Sequence, residues 1–162
     1  MKMNITLIII VTMCFMNCNR PAESPRDKEE IVKLVYRFND ASVPPDDHRS
    51  YTITADSSSV HIIVDSYGEI LADTMFSIEK EKFEKIVQVF LDAGIKECSK
   101  TEDHGCTGGT SEEINVYDEQ KSVLNGYISY CGGKSYGTLK GDLRLVGAEM
   151  RKLIPDFPAL VK

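Results

Sequence analysis

The residue types in this chain that can do chemistry are concentrated in two glycine-rich stretches, 106–111 and 131–138. Each stretch begins with a cysteine and carries hydroxyl side chains beside glycines. Glycine lets backbone N–H groups approach a ligand closely, although it serves tight turns equally well. We predict that the two stretches form a binding site and that five side chains contribute to it. These residues are Thr107, Thr110, Lys134, Ser135 and Tyr136.

A catalytic interpretation of the same region depends on His104, which precedes Cys106 by two positions. A base beside a thiol or a hydroxyl is the arrangement of nucleophilic hydrolases. This alternative requires His104 to reach the thiol or a serine hydroxyl, either Ser111 or Ser135. Adjacency in sequence is not the spatial arrangement that such catalysis uses, and an exported cysteine favours a disulfide over a free nucleophile. We therefore predict no catalytic residue and no enzymatic activity.

The histidines do not indicate a metal site. The chain has three, His48, His61 and His104. His48 follows a proline turn and His61 lies in an alternating segment, and neither has a partner at metal-ligand spacing. We predict no metal and no cofactor.

The strands that must position these residues are indicated by alternation of apolar and polar side chains. The five segments with this pattern are Ile31–Phe38, Tyr51–Ala55, Val60–Val64, Glu113–Tyr117 and Val123–Tyr130. Ile31–Phe38 also fits a helix face, so both assignments stay open there, while its β-branched and aromatic content favours a strand. Asp65–Gly68 has turn composition and closes the third segment.

Two segments have helical periodicity. Ile78–Ala93 places apolar residues on one face, with Ser77 as its expected cap and Gly94 as its expected end. Leu143–Ile154 repeats such a stripe, with Asp142 as its expected cap. Together with the strands, these helices predict an α+β fold, with an antiparallel sheet of about five strands and two helices packed on one face.

The cysteines are expected to pair across the predicted hairpin. If that hairpin turns about Gln120, opposed residues have numbers that sum to about 240. Cys106 and Cys131 sum to 237 and therefore lie near each other at the open end. This predicts a Cys106–Cys131 disulfide, while pairs that involve Cys98 remain possible alternatives.

The N-terminal segment has the pattern of an export signal. Lys2 precedes an apolar run from Ile5 to Met16. The run is shorter than the roughly 20 residues that a membrane-spanning helix needs. We expect residues 1–17 to be a signal peptide and residues 18–29, which include prolines and mixed charge, to be a solvated tether. Residues 30–162 are then a single domain.

The end of this segment, Phe15-Met16-Asn17-Cys18, resembles a bacterial lipobox, the motif that ends in an acylated cysteine. Asn17 and Phe15 stand where the strict motif has a small and an aliphatic residue. The resemblance implies lipid on Cys18 and a lipid-anchored location in the bacterial cell envelope, at the outer membrane. Cys14 is the competing site, and an ordinary secretory signal is the alternative.

Composition limits the possible partners. The 162 residues include 25 acidic and 19 basic side chains, which gives a formal charge of −6. Binding to a phosphate backbone needs a face rich in Lys and Arg, so a nucleic-acid partner is excluded.

These observations predict a non-enzymatic envelope lipoprotein that binds a protein or a small ligand, such as an inhibitor or an immunity-type protector against an envelope-acting enzyme. Its partners would be the membrane, through acyl chains on Cys18, and one further molecule. The alternatives are the hydrolase described above and a structural envelope component, which a broad exposed apolar face would support.

Overall fold

A computed structural model of the chain describes residues 31–101, 108–119 and 121–162. Within these ranges the chain forms eight strands and three helices. The strands are β1 (Lys33–Asn39), β2 (Ser50–Asp56), β3 (Ser59–Ser66), β4 (Glu69–Ser77), β5 (Lys96–Thr101), β6 (Thr110–Tyr117), β7 (Ser122–Cys131) and β8 (Lys134–Lys140). The helices are α1 (Lys80–Asp92), α2 (Leu143–Arg151) and α3 (Phe157–Leu160). None of the described helices is long and apolar enough to cross a membrane.

All the described strands belong to one antiparallel sheet with the order β4-β3-β2-β1-β6-β7-β8-β5. Strands β1 to β4 are neighbours in sequence order, and so are β6 to β8. The pairing of β1 with β6 joins these two groups, so β1 lies in the interior of the sheet. Leu34 and Tyr36 of β1 are accordingly inaccessible to solvent.

Burial alternates along the inner strands because successive side chains point to opposite faces of a sheet. The buried face packs with α1 and α2 into one core. Helix α2 lies against β1, β2 and β6, and also contacts α1. The other side of the sheet, here called the open face, carries mostly half-buried or exposed side chains. One row across it, aligned by strand register, consists of Ile63, Thr52, Arg37 and Glu113.

Helix α2 approaches the sheet most closely at Gly147. A Cβ atom at this position would lie 2.3 Å from both Cζ and Oη of Tyr36. Real Cβ atoms do not come so close to other heavy atoms, so the helix can keep this distance from β1 only with glycine here. A residue of low helix propensity therefore stands in the middle of α2 for a packing reason.

The prediction of about five strands with two helices on one face is wrong. The described sheet has eight strands, and a third helix, α3, follows α2. The strands missing from the prediction are β4, β5 and β8. Strands β4 and β5 form the two edges of the sheet and bury few side chains, so their sequences lack the alternation of a half-buried strand. Strand β8 follows two glycines and contains a third, Gly137, which made it resemble a loop.

Other local predictions are settled by the structure. The strand assignment of Ile31–Phe38 is confirmed, since β1 covers all of this segment after Val32, and α1 and α2 lie within the segments predicted to be helical. Asp142 caps α2, since its Oδ1 accepts a hydrogen bond from the backbone N–H of Leu145 at 3.1 Å. The predicted cap of α1 is wrong, because the capping position is Glu79 rather than Ser77, and its side chain makes no capping bond.

Candidate functional site

Strands β6 and β7 form the hairpin expected from the sequence. Opposed residues from Thr110↔Tyr130 to Val116↔Leu124 have numbers that sum to 240, which confirms the predicted register. Strand β8 continues from β7, with Lys134 opposite Cys131. The described parts of the two glycine-rich stretches therefore meet at one end of the sheet.

A cavity of about 590 Å³ lies at this end, on the side of the sheet that faces α2. Thr110, Lys134 and Ser135 line it, so the structure brings together three of the five residues singled out in the sequence. Thr107 lies outside the described residues. We call this space the glycine-loop cavity.

Tyr136 is not among the residues that line the glycine-loop cavity. It lies opposite Ser129, whereas its neighbour Ser135 lies opposite Tyr130 at the cavity. Tyr136 instead lines a neighbouring cavity of about 240 Å³, which Ser135 and Tyr130 also border. Tyr136 therefore lies beside the glycine-loop cavity but not in its lining, and its part in binding stays a prediction.

Arg144 is a cavity residue that the sequence did not reveal. It lies in the first turn of α2, and its Cζ is 3.8 Å from the centroid of the Tyr130 ring. This cation–π contact holds the guanidinium over the end of β7. The sequence indicated the helix but not the strand that its first turn would cover.

The charge of the glycine-loop cavity is opposite to that of the whole chain. Among the described residues, its lining contains Lys134 and Arg144 and no carboxylate. Both side chains are exposed, and among the described residues neither takes part in an ion pair. In a chain with a formal charge of −6, this is a local positive site that suits a negatively charged ligand group.

A buried hydrogen-bond network lies behind the cavity. Glu112 is 4% exposed and accepts hydrogen bonds from Tyr36 Oη at 2.9 Å and from Tyr130 Oη at 3.0 Å. Burial raises the pKa of both tyrosine hydroxyls well above the usual value for tyrosine, and the Glu112 carboxylate raises both pKa values further. Both hydroxyls therefore remain hydrogen-bond donors, and Tyr130 is fixed beneath Arg144.

The glycines themselves are explained by backbone geometry. Gly132 and Gly133 form the two-residue turn between β7 and β8, with φ angles of 58° and 75°. Two successive positive φ values define the tight hairpin turn that favours glycine. The case for binding at this cavity therefore comes from its charges and not from its glycines.

Two of the cysteines considered for the predicted disulfide, Cys98 and Cys131, lie among the described residues. Cys98 is a free thiol, which excludes it as a partner of Cys131. Cys131 is disulfide-bonded. Since Cys106 lies outside the described residues, the Cys106–Cys131 pair stays a prediction.

The structure also contains a serine–histidine contact that the sequence interpretation missed. Ser50 Oγ lies 3.3 Å from His48 Nε2. Ser50 is 2% exposed and accepts a hydrogen bond from the backbone N–H of Asp40 at 3.0 Å. A hydroxyl so enclosed is not presented to a substrate, and its role is to hold the loop between β1 and β2 against the sheet. His104, the base of the hydrolase alternative, lies outside the described residues.

Known proteins do not assign this chain to a family. No protein-family model, no curated protein and no solved structure matches it. Within the described ranges, no group of three or more His, Cys, Asp or Glu residues is arranged to hold a metal ion.

Proposed function

We propose that this protein is a non-enzymatic, lipid-anchored binding protein of the bacterial cell envelope, and that its glycine-loop cavity binds an anionic group of its ligand. The observation that carries the proposal is the pair of exposed cations, Lys134 and Arg144, in a cavity whose described lining has no carboxylate. The ligand is a phosphate- or carboxylate-bearing molecule, or such a group on the surface of an envelope-acting protein that this chain inhibits or neutralises.

The lining of the cavity favours binding over hydrolysis. Thr110 and Ser135 supply hydroxyls, but no histidine or carboxylate among the described residues lines the cavity as a general base. A structural envelope role is less well supported, because the open face carries Arg37, Thr52 and Glu113 across its middle. Such a row is too polar for a broad apolar contact surface.

Anchoring in the envelope is expected to occur through acyl chains on Cys18, which lies outside the described residues. Intact-mass spectrometry of protein extracted from membranes checks this directly. The mass should equal that of residues 18–162 plus lipid, and replacement of Cys18 with serine should release the protein from the membrane fraction. A cleaved protein with an unmodified or disulfide-bonded Cys18 would contradict the proposal.

Anion binding can be tested with inorganic phosphate as the probe and a soluble mature chain that carries Cys18→Ser. We expect Lys134→Ala and Arg144→Ala each to weaken phosphate binding about threefold to tenfold, since a charge-assisted hydrogen bond contributes about 1 kcal/mol at an exposed site. Titration followed by nuclear magnetic resonance measures the affinity and locates the site.

The matched control is Lys140→Ala, which removes the same charge from the other end of β8, away from the glycine-loop cavity. Its affinity for phosphate should equal that of the parent chain. An equal loss in all three variants would indicate a general charge effect and would contradict a defined site.

A further inference from the structure

The turn between β3 and β4 holds a tyrosine where the backbone favours a small residue. Tyr67 has a φ angle of 51°, and Gly68 follows it with a φ angle of 91°. Two-residue turns of this kind prefer asparagine, aspartate or glycine at the first position. A bulky side chain with positive φ is an outlier, and such strain is concentrated at functional positions.

The surroundings of Tyr67 fix its ring in place. One side of the ring stacks on the imidazole of His48, with centroids 4.0 Å apart and an interplanar angle of 21°. Its Oη donates a hydrogen bond to the carbonyl oxygen of Val43 at 2.6 Å. The residue nevertheless remains 58% exposed. A rigid aromatic surface is therefore presented to solvent.

Tyr67 borders a cleft of about 420 Å³ on the open face of the sheet. Ile63 and Ile70 also line this cleft, and Ile70 is 61% exposed. Arg37 and Asp65 supply its polar wall. A cavity of this size, with apolar surface and a few oriented polar groups, is typical of a site for a small ligand. We call it the Tyr67 cleft.

The polar wall is held in one conformation by hydrogen bonds. Arg37 donates through Nε to Asn39 Oδ1 at 2.6 Å, through Nη1 to Thr52 Oγ1 at 3.0 Å and through Nη2 to Asp65 Oδ2 at 3.2 Å. A guanidinium has five N–H groups, so about two stay available for a ligand. Asp65 Oδ1 accepts the backbone N–H of Gly68 at 3.2 Å and has acceptor capacity left.

The charge of the Tyr67 cleft selects the ligand class. The Arg37 guanidinium and the Asp65 carboxylate form an ion pair, and the other carboxylate of the lining, Asp40, accepts the backbone N–H groups of Ala41 and Arg49. Neither an anion nor a cation therefore meets an unpartnered charge of opposite sign. A neutral hydroxyl group can accept from the guanidinium and donate to the carboxylate at the same time. A ligand that carries several hydroxyls and also has an apolar C–H face matches both the polar wall and the aromatic surface.

We propose that the Tyr67 cleft binds a saccharide unit, with the C–H face of the sugar ring against Tyr67 and its hydroxyls on Arg37 and Asp65. This site lies on the opposite side of the sheet from the glycine-loop cavity. It does not depend on the anion-binding proposal, and either can fail without the other.

The first experiment uses the soluble mature chain and a disaccharide of N-acetylglucosamine, with a glucose disaccharide as the second probe. Saccharide binding should shift the amide resonances of Tyr67, Gly68 and Ile70 in nuclear magnetic resonance spectra. Purified peptidoglycan sacculi distinguish the source of the sugar. Binding to sacculi as well as to a disaccharide assigns a wall glycan, and binding to a soluble disaccharide alone assigns a free sugar. No binding to any probe, or shifts confined to other residues, would overturn the proposal.

The second experiment tests whether saccharide binding needs the aromatic ring of Tyr67 itself, and not only the conformation of the turn. Tyr67→Asn suits the positive φ of the turn and removes the aromatic surface, so it should raise the dissociation constant for the disaccharide at least about tenfold. Tyr67→Phe keeps the ring and should lose much less affinity. Met75→Asn removes another exposed apolar side chain from β4, outside the cleft, and serves as the control. An unchanged affinity in Tyr67→Asn, or an equal loss in Tyr67→Phe, would show that the ring does not bind the sugar.

Discussion

Replacing Gly147 with alanine should lower the free energy of unfolding by about 2 to 3 kcal/mol, because the added methyl group overpacks a full core. Its Cβ would lie 2.3 Å from the end of the Tyr36 ring. Tyr36 is fully buried and hydrogen-bonded to Glu112, so it cannot move aside without loss of that bond. Helix propensity alone predicts the opposite sign, a gain of about 1 kcal/mol for alanine over glycine. Urea unfolding of the two proteins decides between these outcomes.

A double variant identifies the cause. Tyr36→Leu shortens the side chain that the methyl group meets, so Gly147→Ala should cost less in the Tyr36→Leu background than in the parent chain. The neighbouring change Ala148→Gly tests the helix without this contact and should cost about 1 kcal/mol from propensity alone. Additive effects of Gly147→Ala and Tyr36→Leu would mean that the two residues do not meet as the structure places them.

Replacing Glu112 with alanine should lower the free energy of unfolding by a similar amount, about 2 to 4 kcal/mol. Two tyrosine hydroxyls would lose their acceptor, that of the fully buried Tyr36 and that of the half-buried Tyr130. A buried polar group left without a partner costs about 1 to 3 kcal/mol. Thermal unfolding followed by circular dichroism should report a lower melting temperature.

The control for Glu112→Ala removes the donors as well as the acceptor. Glu112→Leu combined with Tyr36→Phe and Tyr130→Phe leaves no unpaired polar side-chain atom from this network, so its stability should be closer to that of the parent chain than to that of Glu112→Ala. A triple variant as unstable as Glu112→Ala would show that unpaired hydroxyls do not cause the effect.

The strands that could be predicted from the sequence are those with one buried and one solvated face. In β1, β2, β3, β6 and β7, burial produces the two-residue alternation that a sequence displays directly. The edge strands β4 and β5 lack it because an edge has a partner on one side only and buries fewer side chains. Their pairing depends on strands already in place, and local sequence does not carry that information.

The candidate site could be predicted only where it depends on strand register. The β6–β7 register follows from a short turn, so the meeting of the two glycine-rich stretches could be predicted from strand positions alone. The contributions of Arg144 and Tyr67 could not, because each depends on contacts between elements that are separate in sequence. Arg144 needs α2 to lie over the end of β7, and the Tyr67 cleft needs β1 beside β2 and β3.

The direction of β1 determines how an anchored molecule would be oriented. The domain begins at the Lys33 end of this strand, whereas both the glycine-loop cavity and the Tyr67 cleft lie at the Asn39 end. Seven strand residues separate these ends by about 20 Å. A chain held to a lipid surface through residues 18–29 would therefore have the start of its domain next to the membrane and both cavities at the end of the domain that is farther from it. Both would face the aqueous compartment, where a large polymer or a diffusing protein can reach them without approaching the bilayer.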